Sequence, residues 1–225
     1  MAVDFNAERG DLNFQASYSA PMFALWKSPD QLFQLLFAGL SKYGLQLNDL
    51  KWGQSSGIGD AQLNFFLLNY AATVRVKMDR VEIEVLDALR IDEQQLQDAA
   101  TALIGALKTH NSDLSVAAYV VSLAYHGKLA SGTAKDFTRA LTATPPGALG
   151  PSAGGGVVFY YGPNEERVSS AVTLDLSGVV PDALFVRVHM VWDASRIRVE
   201  DLAARTREYT ERVFRGFGLN SVAGK

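Results

Sequence analysis

Between Thr73 and Val85, apolar Val74 and Val76 alternate with Arg75 and Lys77, and Val81, Ile83 and Val85 alternate with Glu82 and Glu84. Successive side chains of a strand point to opposite faces, so each arm carries one apolar face and one charged face. A short turn at Asp79-Arg80 joins the arms as a hairpin. That turn sets Lys77 opposite Glu82, Arg75 opposite Glu84, Val76 against Ile83 and Val74 against Val85. A one-residue slip would drive the charges into the interior. The chain is therefore expected to build an antiparallel sheet with one wet face and one covered face.

Helices supply the cover. Ser28-Pro29-Asp30-Gln31 reads as a helix start, with Ser at the N-cap, Pro at the first helical position and Gln placed to close a capping box. Leu32, Leu35, Leu36, Phe37, Leu40 and Tyr43 follow as a broad apolar face, and Gly44 is a natural stop. Asp92 caps a second helix whose stripe is Leu96, Ala99, Ala100, Leu103, Ile104 and Leu107, ending at His110-Asn111. A short third helix begins at Thr133-Ala134-Lys135-Asp136 and runs through Leu141. A fourth carries Val199, Leu202, Ala203, Thr206, Tyr209, Val213 and Phe217 on one stripe, with Gly218 as its stop. Further strands are expected at Leu12–Tyr18, Gln62–Tyr70, Val157–Tyr161, Val168–Leu176 and Ala183–Trp192. Val116–Tyr125, apolar on both parities, reads as a strand covered on two sides. Gln54–Asp60 and Thr144–Gly156 have loop composition, and Tyr125-His126-Gly127-Lys128 reads as a turn.

The order repeats. Val85-Leu86-Asp87-Ala88-Leu89-Arg90-Ile91 aligns with Val191-Trp192-Asp193-Ala194-Ser195-Arg196-Ile197 with five identities in seven positions, and Leu96 then falls on Leu202. Ser28–Leu32 aligns in the same way with Thr133–Phe137. The expected fold class is α+β: an internally duplicated strand-helix-three strands-helix unit, with one antiparallel sheet and its helices packed on one face. The half-repeats span 1–113 and 114–225. The Asn111–Asp113 connection is short and free of Gly and Pro, which merges them into one globular domain. Duplicated units of this order resemble sliding-clamp-like and TATA-binding-protein-like architectures in fold alone, and no motif selects among their functions.

Composition narrows the function classes. With 48% apolar and 20% charged residues in a chain of 225, a packed core is expected. A formal charge of −3 supplies no field for nucleic acid. Arg205, Arg207, Arg212 and Arg215, with Arg196 and Arg198 before them, form a basic strip, but Glu208 and Glu211 stand at the spacing that pairs with it. There is no Cys, hence no thiolate chemistry and no Cys-held metal. His110, His126 and His189 are too widely spaced to make a helical ligand pair, so no metal site and no cofactor are expected. His110 is placed to meet helix-terminal carbonyls. Gly150–Gly156 precedes a strand and has no Lys, unlike a phosphate loop, and no Gly-x-Ser-x-Gly elbow occurs. Asp87 and Asp193, at matching repeat positions, read as local turn-stabilising groups rather than a catalytic pair. No apolar run reaches the roughly 20 residues needed to cross a bilayer. The first residues lack a basic start followed by an apolar stretch, so a cytoplasmic location is expected.

One polar cluster stands out. Arg187 and His189 share a strand parity, and Thr173 and Asp175 hold the polar parity of the preceding strand. Asp175, Arg187 and His189 are the candidate ligand-binding residues, as a site for a small anion or a partner. The leading expectation is a non-enzymatic binding or assembly module acting through protein–protein contacts or self-association. The alternative is a small-molecule binding protein or enzyme with a cavity between sheet and helices.

Overall fold

The computed structural model describes residues 2–53, 61–141 and 155–222. Its strands are β1 (Val3–Tyr18), β2 (Lys51–Gly53), β3 (Gln62–Leu67), β4 (Ala72–Lys77), β5 (Arg80–Val85), β6 (Val116–Leu129), β7 (Val157–Tyr161), β8 (Val168–Leu176), β9 (Leu184–Asp193) and β10 (Leu219–Val222). Its helices are α1 (Pro29–Leu40), α2 (Glu93–His110), α3 (Ala134–Leu141) and α4 (Leu202–Gly216). The loop readings for Gln54–Asp60 and for most of Thr144–Gly156 lie outside the described residues.

The charged hairpin forms, with a register two residues away from the expected one. Arg75 stands opposite Glu82, Val74 opposite Ile83 and Val76 opposite Val81, so the turn is Met78-Asp79 rather than Asp79-Arg80. A shift of two keeps every side chain on its face, which is why alternation alone does not separate the two registers. The neighbouring chain decides between them. Met78 is buried and its carbonyl accepts from the Met22 amide at 2.7 Å, while the Asp79 carbonyl accepts from the Tyr18 amide at 2.8 Å. The expected ion partners still meet, now as diagonal neighbours: Lys77 Nζ lies 3.1 Å from Glu82 Oε1 and Arg75 2.9 Å from Glu84 Oε2. Burial alone would raise the Glu82 pKa, but hydrogen bonds from Arg80 and Lys77 outweigh it and hold the carboxyl below its ordinary value.

All ten strands form one sheet, ordered β2-β3-β4-β5-β1-β6-β9-β8-β7, with β10 beside β1. Every pairing is antiparallel except that of β10 with β1. Outward from the central β1–β6 pair the strands run β5, β4, β3 on one side and β9, β8, β7 on the other. The registers correspond as well. Adding 107 to both members of Leu12↔Val85, Phe14↔Ile83 and Ala16↔Val81 gives Tyr119↔Trp192, Val121↔Met190 and Leu123↔Val188, and all three pairs are present. The heptapeptide alignment is one residue different, and it sets buried Val85 on half-buried Val191, which points to the other face.

One face of the sheet is covered. Phe14 and Ala16 of β1, Val74 and Val76 of β4, Val81, Ile83 and Val85 of β5, and Val186, Val188, Met190 and Trp192 of β9 are buried in one core with Leu36 of α1, Leu103 of α2, Ala134 of α3 and Phe214 of α4. The other face carries the charged and polar parity. The expected double cover of Val116–Tyr125 is not found, because Val120 on the open face stays half-buried. This strand is apolar because it is central, flanked by β1 and β9.

The helix ends differ in detail from expectation. Asp92 accepts from the amides of Gln94 and Gln95, and Thr133 Oγ1 accepts from the Asp136 amide at 3.1 Å while donating to Asp136 Oδ2 at 2.7 Å. Ser28 makes no side-chain cap bond, so α1 starts on Pro29 alone. The buried line of α4 is Leu202, Thr206, Thr210 and Phe214, with Tyr209, Val213 and Phe217 only half-buried. Tyr125–Lys128 continues β6 instead of turning. A Cβ on Gly127 would lie 2.5 Å from the Asn6 carbonyl oxygen and 2.6 Å from the Phe5 ring, so this glycine lets β6 run close beside β1 where a larger residue could not.

Candidate functional site

α2 and α4 lie over the central β1–β6 pair without closing fully on it, leaving a cavity of about 600 Å³. Its floor is Leu12, Phe14, Val121 and Leu123, and its walls include Leu96 and Ala100 of α2 and Leu202 and Ala203 of α4. Ala100 and Ala203 are the small side chains in its walls. Larger residues there would interdigitate and fill it.

Ten of its 26 lining residues are polar, with the charged Glu93, Arg207, Glu211 and Arg215 on the helix side, and several of them are engaged. Gln97 spans from α2 to the start of α4, its side-chain amide donating to the Val199 carbonyl and its Oε1 accepting from the Ala203 amide at 3.1 Å. Arg207 of α4 pairs with Glu93 of α2 at the rim. Thr210 Oγ1 donates to the Thr206 carbonyl at 2.8 Å. Burial, with the Glu93 carboxylate as a second cause, pushes the Tyr125 phenol up to about 12, so it keeps its proton at neutral pH. Thr206 is the exception. It lines the cavity at 6% exposure, and its Oγ1 is buried with no hydrogen-bond partner. An unpaired buried hydroxyl forfeits about 1–3 kcal/mol, and because Thr206 Oγ1 is shielded from the cavity, a bound group completes the bond only once the side chain turns toward it. The signal in the sequence was a Thr within the buried stripe of the last helix.

The polar cluster lies elsewhere. Asp175, Arg187 and His189 all project from the open face, Arg187 opposite Thr173, His189 opposite Ala171 and Asp175 opposite Phe185. Arg187 Nε donates to Ser122 Oγ at 2.8 Å. Asp175 Oδ1 accepts from the Leu176 amide at 2.7 Å, and its carboxyl packs over Gly156. His189 Nδ1 is buried without a partner, and burial, helped by Arg187, lowers its pKa. No hydrogen bond or ion pair joins the three to one another, and none of them lines the cavity.

The remaining candidates are engaged locally. Asp87 pairs with Arg90 at 2.8 Å, and Asp193 accepts from the Ser195 amide and hydroxyl at 2.9 and 2.7 Å. Those Ser195 bonds hold the Asp193 carboxyl below its ordinary value. By the strand registers Asp87 stands level with Gly10 of β1 and Asp193 level with Ser17, roughly 23 Å apart along the strand at the usual rise per residue. His110 Nε2 sits 3.2 Å from the Leu25 carbonyl and His126 Nδ1 2.9 Å from Ser177 Oγ. The basic strip is paired, but partly with other elements: Arg207 with Glu93 and Arg212 with Glu166, while Arg205 meets Glu208 within the helix at 3.2 Å. Among the described residues no cluster of His, Asp and Glu could hold a metal ion, and no helix is long and apolar enough to cross a membrane. No protein-family model matches this chain, and no curated protein matches it.

Proposed function

We propose that the protein is a non-enzymatic binding module whose ligand site is the cavity between α2, α4 and the β1–β6 pair. The single observation that carries this reading is a cavity of about 600 Å³, large enough for a small molecule, with an apolar floor and the unpartnered Thr206 in its wall. The ligand class is a small, mainly apolar molecule with one hydrogen-bonding group that meets Thr206. The committed state of Gln97, Arg207 and Thr210, and the retained proton of Tyr125, favour holding over chemistry. A second site for a small anion at Asp175, Arg187 and His189 is favoured only by the unpartnered His189 Nδ1.

The halves 1–113 and 114–225 are read as products of duplication merged into one domain. The mirrored strand order and the shared 107-residue correspondence of the β1–β5 and β6–β9 registers support this. The cavity then sits where the halves meet, between their equivalent second helices.

Fluorescence titration with an anilinonaphthalene sulfonate dye tests the site. Saturable binding to one site is expected, weakened at least about tenfold in Ala203→Phe, which fills the space. A Thr206→Val variant keeps the shape and loses the hydroxyl. It should retain a hydrocarbon ligand while weakening a hydroxyl- or carbonyl-bearing analogue by about tenfold, the worth of one hydrogen bond. Equal dye binding by the wild-type and Ala203→Phe proteins, with circular dichroism unchanged, contradicts the cavity as the site.

A further inference from the structure

The two ends of the sheet are unlike. One end is β2, only three residues long and opening with Lys51, the short and charged form that discourages pairing with another chain. The other end is β7, Val157-Val158-Phe159-Tyr160-Tyr161, with no charge, no proline and no bulge in its pairing with β8. Among the described residues no strand pairs with its outer side. Its apolar side chains stay accessible: Tyr160 is 82% exposed, Val158 46% and Tyr161 45%. Phe159 instead turns to the covered face and packs on Phe217, ring centroids 5.2 Å apart, which holds the strand flat on the core.

We infer that the free edge of β7 pairs antiparallel with β7 of a second copy of this chain, joining two sheets across a twofold axis. The residue pattern suits this occupant. With the axis at Phe159, Val158 of each copy faces Tyr160 of the other on the open face, and Val157 faces Tyr161 on the covered face. No charge meets a like charge, and each open-face pair sets a β-branched residue against an aromatic, a favourable cross-strand combination. The interface is isologous and therefore closes at two copies. A five-residue edge falls well short of the roughly 1,200 Å² of a stable interface, so the dimer is a weak, reversible one.

Sedimentation equilibrium from micromolar to millimolar protein tests it, beside hydrogen exchange at the two extremes. The expected result is a monomer–dimer equilibrium, with amides of Val157–Tyr161 exchanging more slowly as the dimer fills. The double variant V158K/Y160K places Lys opposite Lys on solvent-facing positions and should weaken dimerisation at least about tenfold. A monomer at every concentration overturns the inference. So does a dimer that persists in a V158K/Y160K protein with native circular dichroism, since the contact would then lie elsewhere. Dye binding in the cavity is expected to be unchanged in this variant, which separates failure here from failure of the ligand site.

Discussion

At the scale of single residues, the informative groups are polar atoms left without partners. Thr206 Oγ1 and His189 Nδ1 are both buried and unbonded, yet they lie on opposite sides of the sheet. His189 has a folded-state pKa below its ordinary value, lowered first by burial and then by Arg187. Burial lowers His126 as well, with Asp11 opposing and Arg9 assisting. A group with a depressed folded-state pKa binds its proton more readily in the unfolded chain, so stability falls as pH drops below the ordinary histidine value toward the folded one. The urea midpoint is therefore expected to decline from pH 7 to pH 5. Replacing both residues, His126→Gln and His189→Gln, should flatten that slope while leaving the steeper loss that carboxylates such as Asp193 bring at lower pH. An unchanged slope in the double variant would assign the dependence to other groups.

At the scale of elements, the hairpin shows how far alternation reaches. Its two arms, faces and ion partners follow from the order of charges, but the register depends on Met78 and Asp79 meeting Met22 and Tyr18, residues about sixty positions earlier. Nuclear Overhauser contacts should join Val74 to Ile83 and Val76 to Val81. Contacts from Val74 to Val85 and from Val76 to Ile83 would instead restore the Asp79-Arg80 turn. The same division holds elsewhere. The stripe of α2 was legible as a local period, and the spans of β7 and β8 as β-branched and aromatic runs with clear ends. The first half of β1 carries a local period too, Val3, Phe5 and Ala7 alternating with Asp4, Asn6 and Glu8, and was overlooked because Arg9-Gly10 breaks it before Leu12. β2 is only three residues long, and β10 becomes a strand only by lying parallel to β1. The cavity was legible only as a possibility, since neither the separation of α2 from α4 nor the isolation of Thr206 is a property of either helix alone. Asp175, Arg187 and His189 share one face because strand parity alone sets that, whereas whether they converge depends on contacts between strands.

At the scale of the whole molecule, the ten-stranded sheet joins both halves through β1 and β6, the pair with the longest shared register. If the halves are merged units, neither keeps a covered core alone. A chain cut between Asn111 and Leu114 should therefore yield fragments that are poorly folded apart and regain the native circular dichroism when mixed. Two fragments that each fold stably without the other would contradict the merger. The cavity depends on that junction, since its floor comes from both central strands and its walls from one helix of each half. The most direct measurement is a methyl NMR titration of the full chain with a small hydrocarbon alcohol. The account predicts saturable shifts of the Leu12, Val121, Leu123, Leu202 and Thr206 methyls while Val74 and Val76, remote in β4, stay fixed. Shifts spread over the open face, or none at all at saturating alcohol, would contradict it.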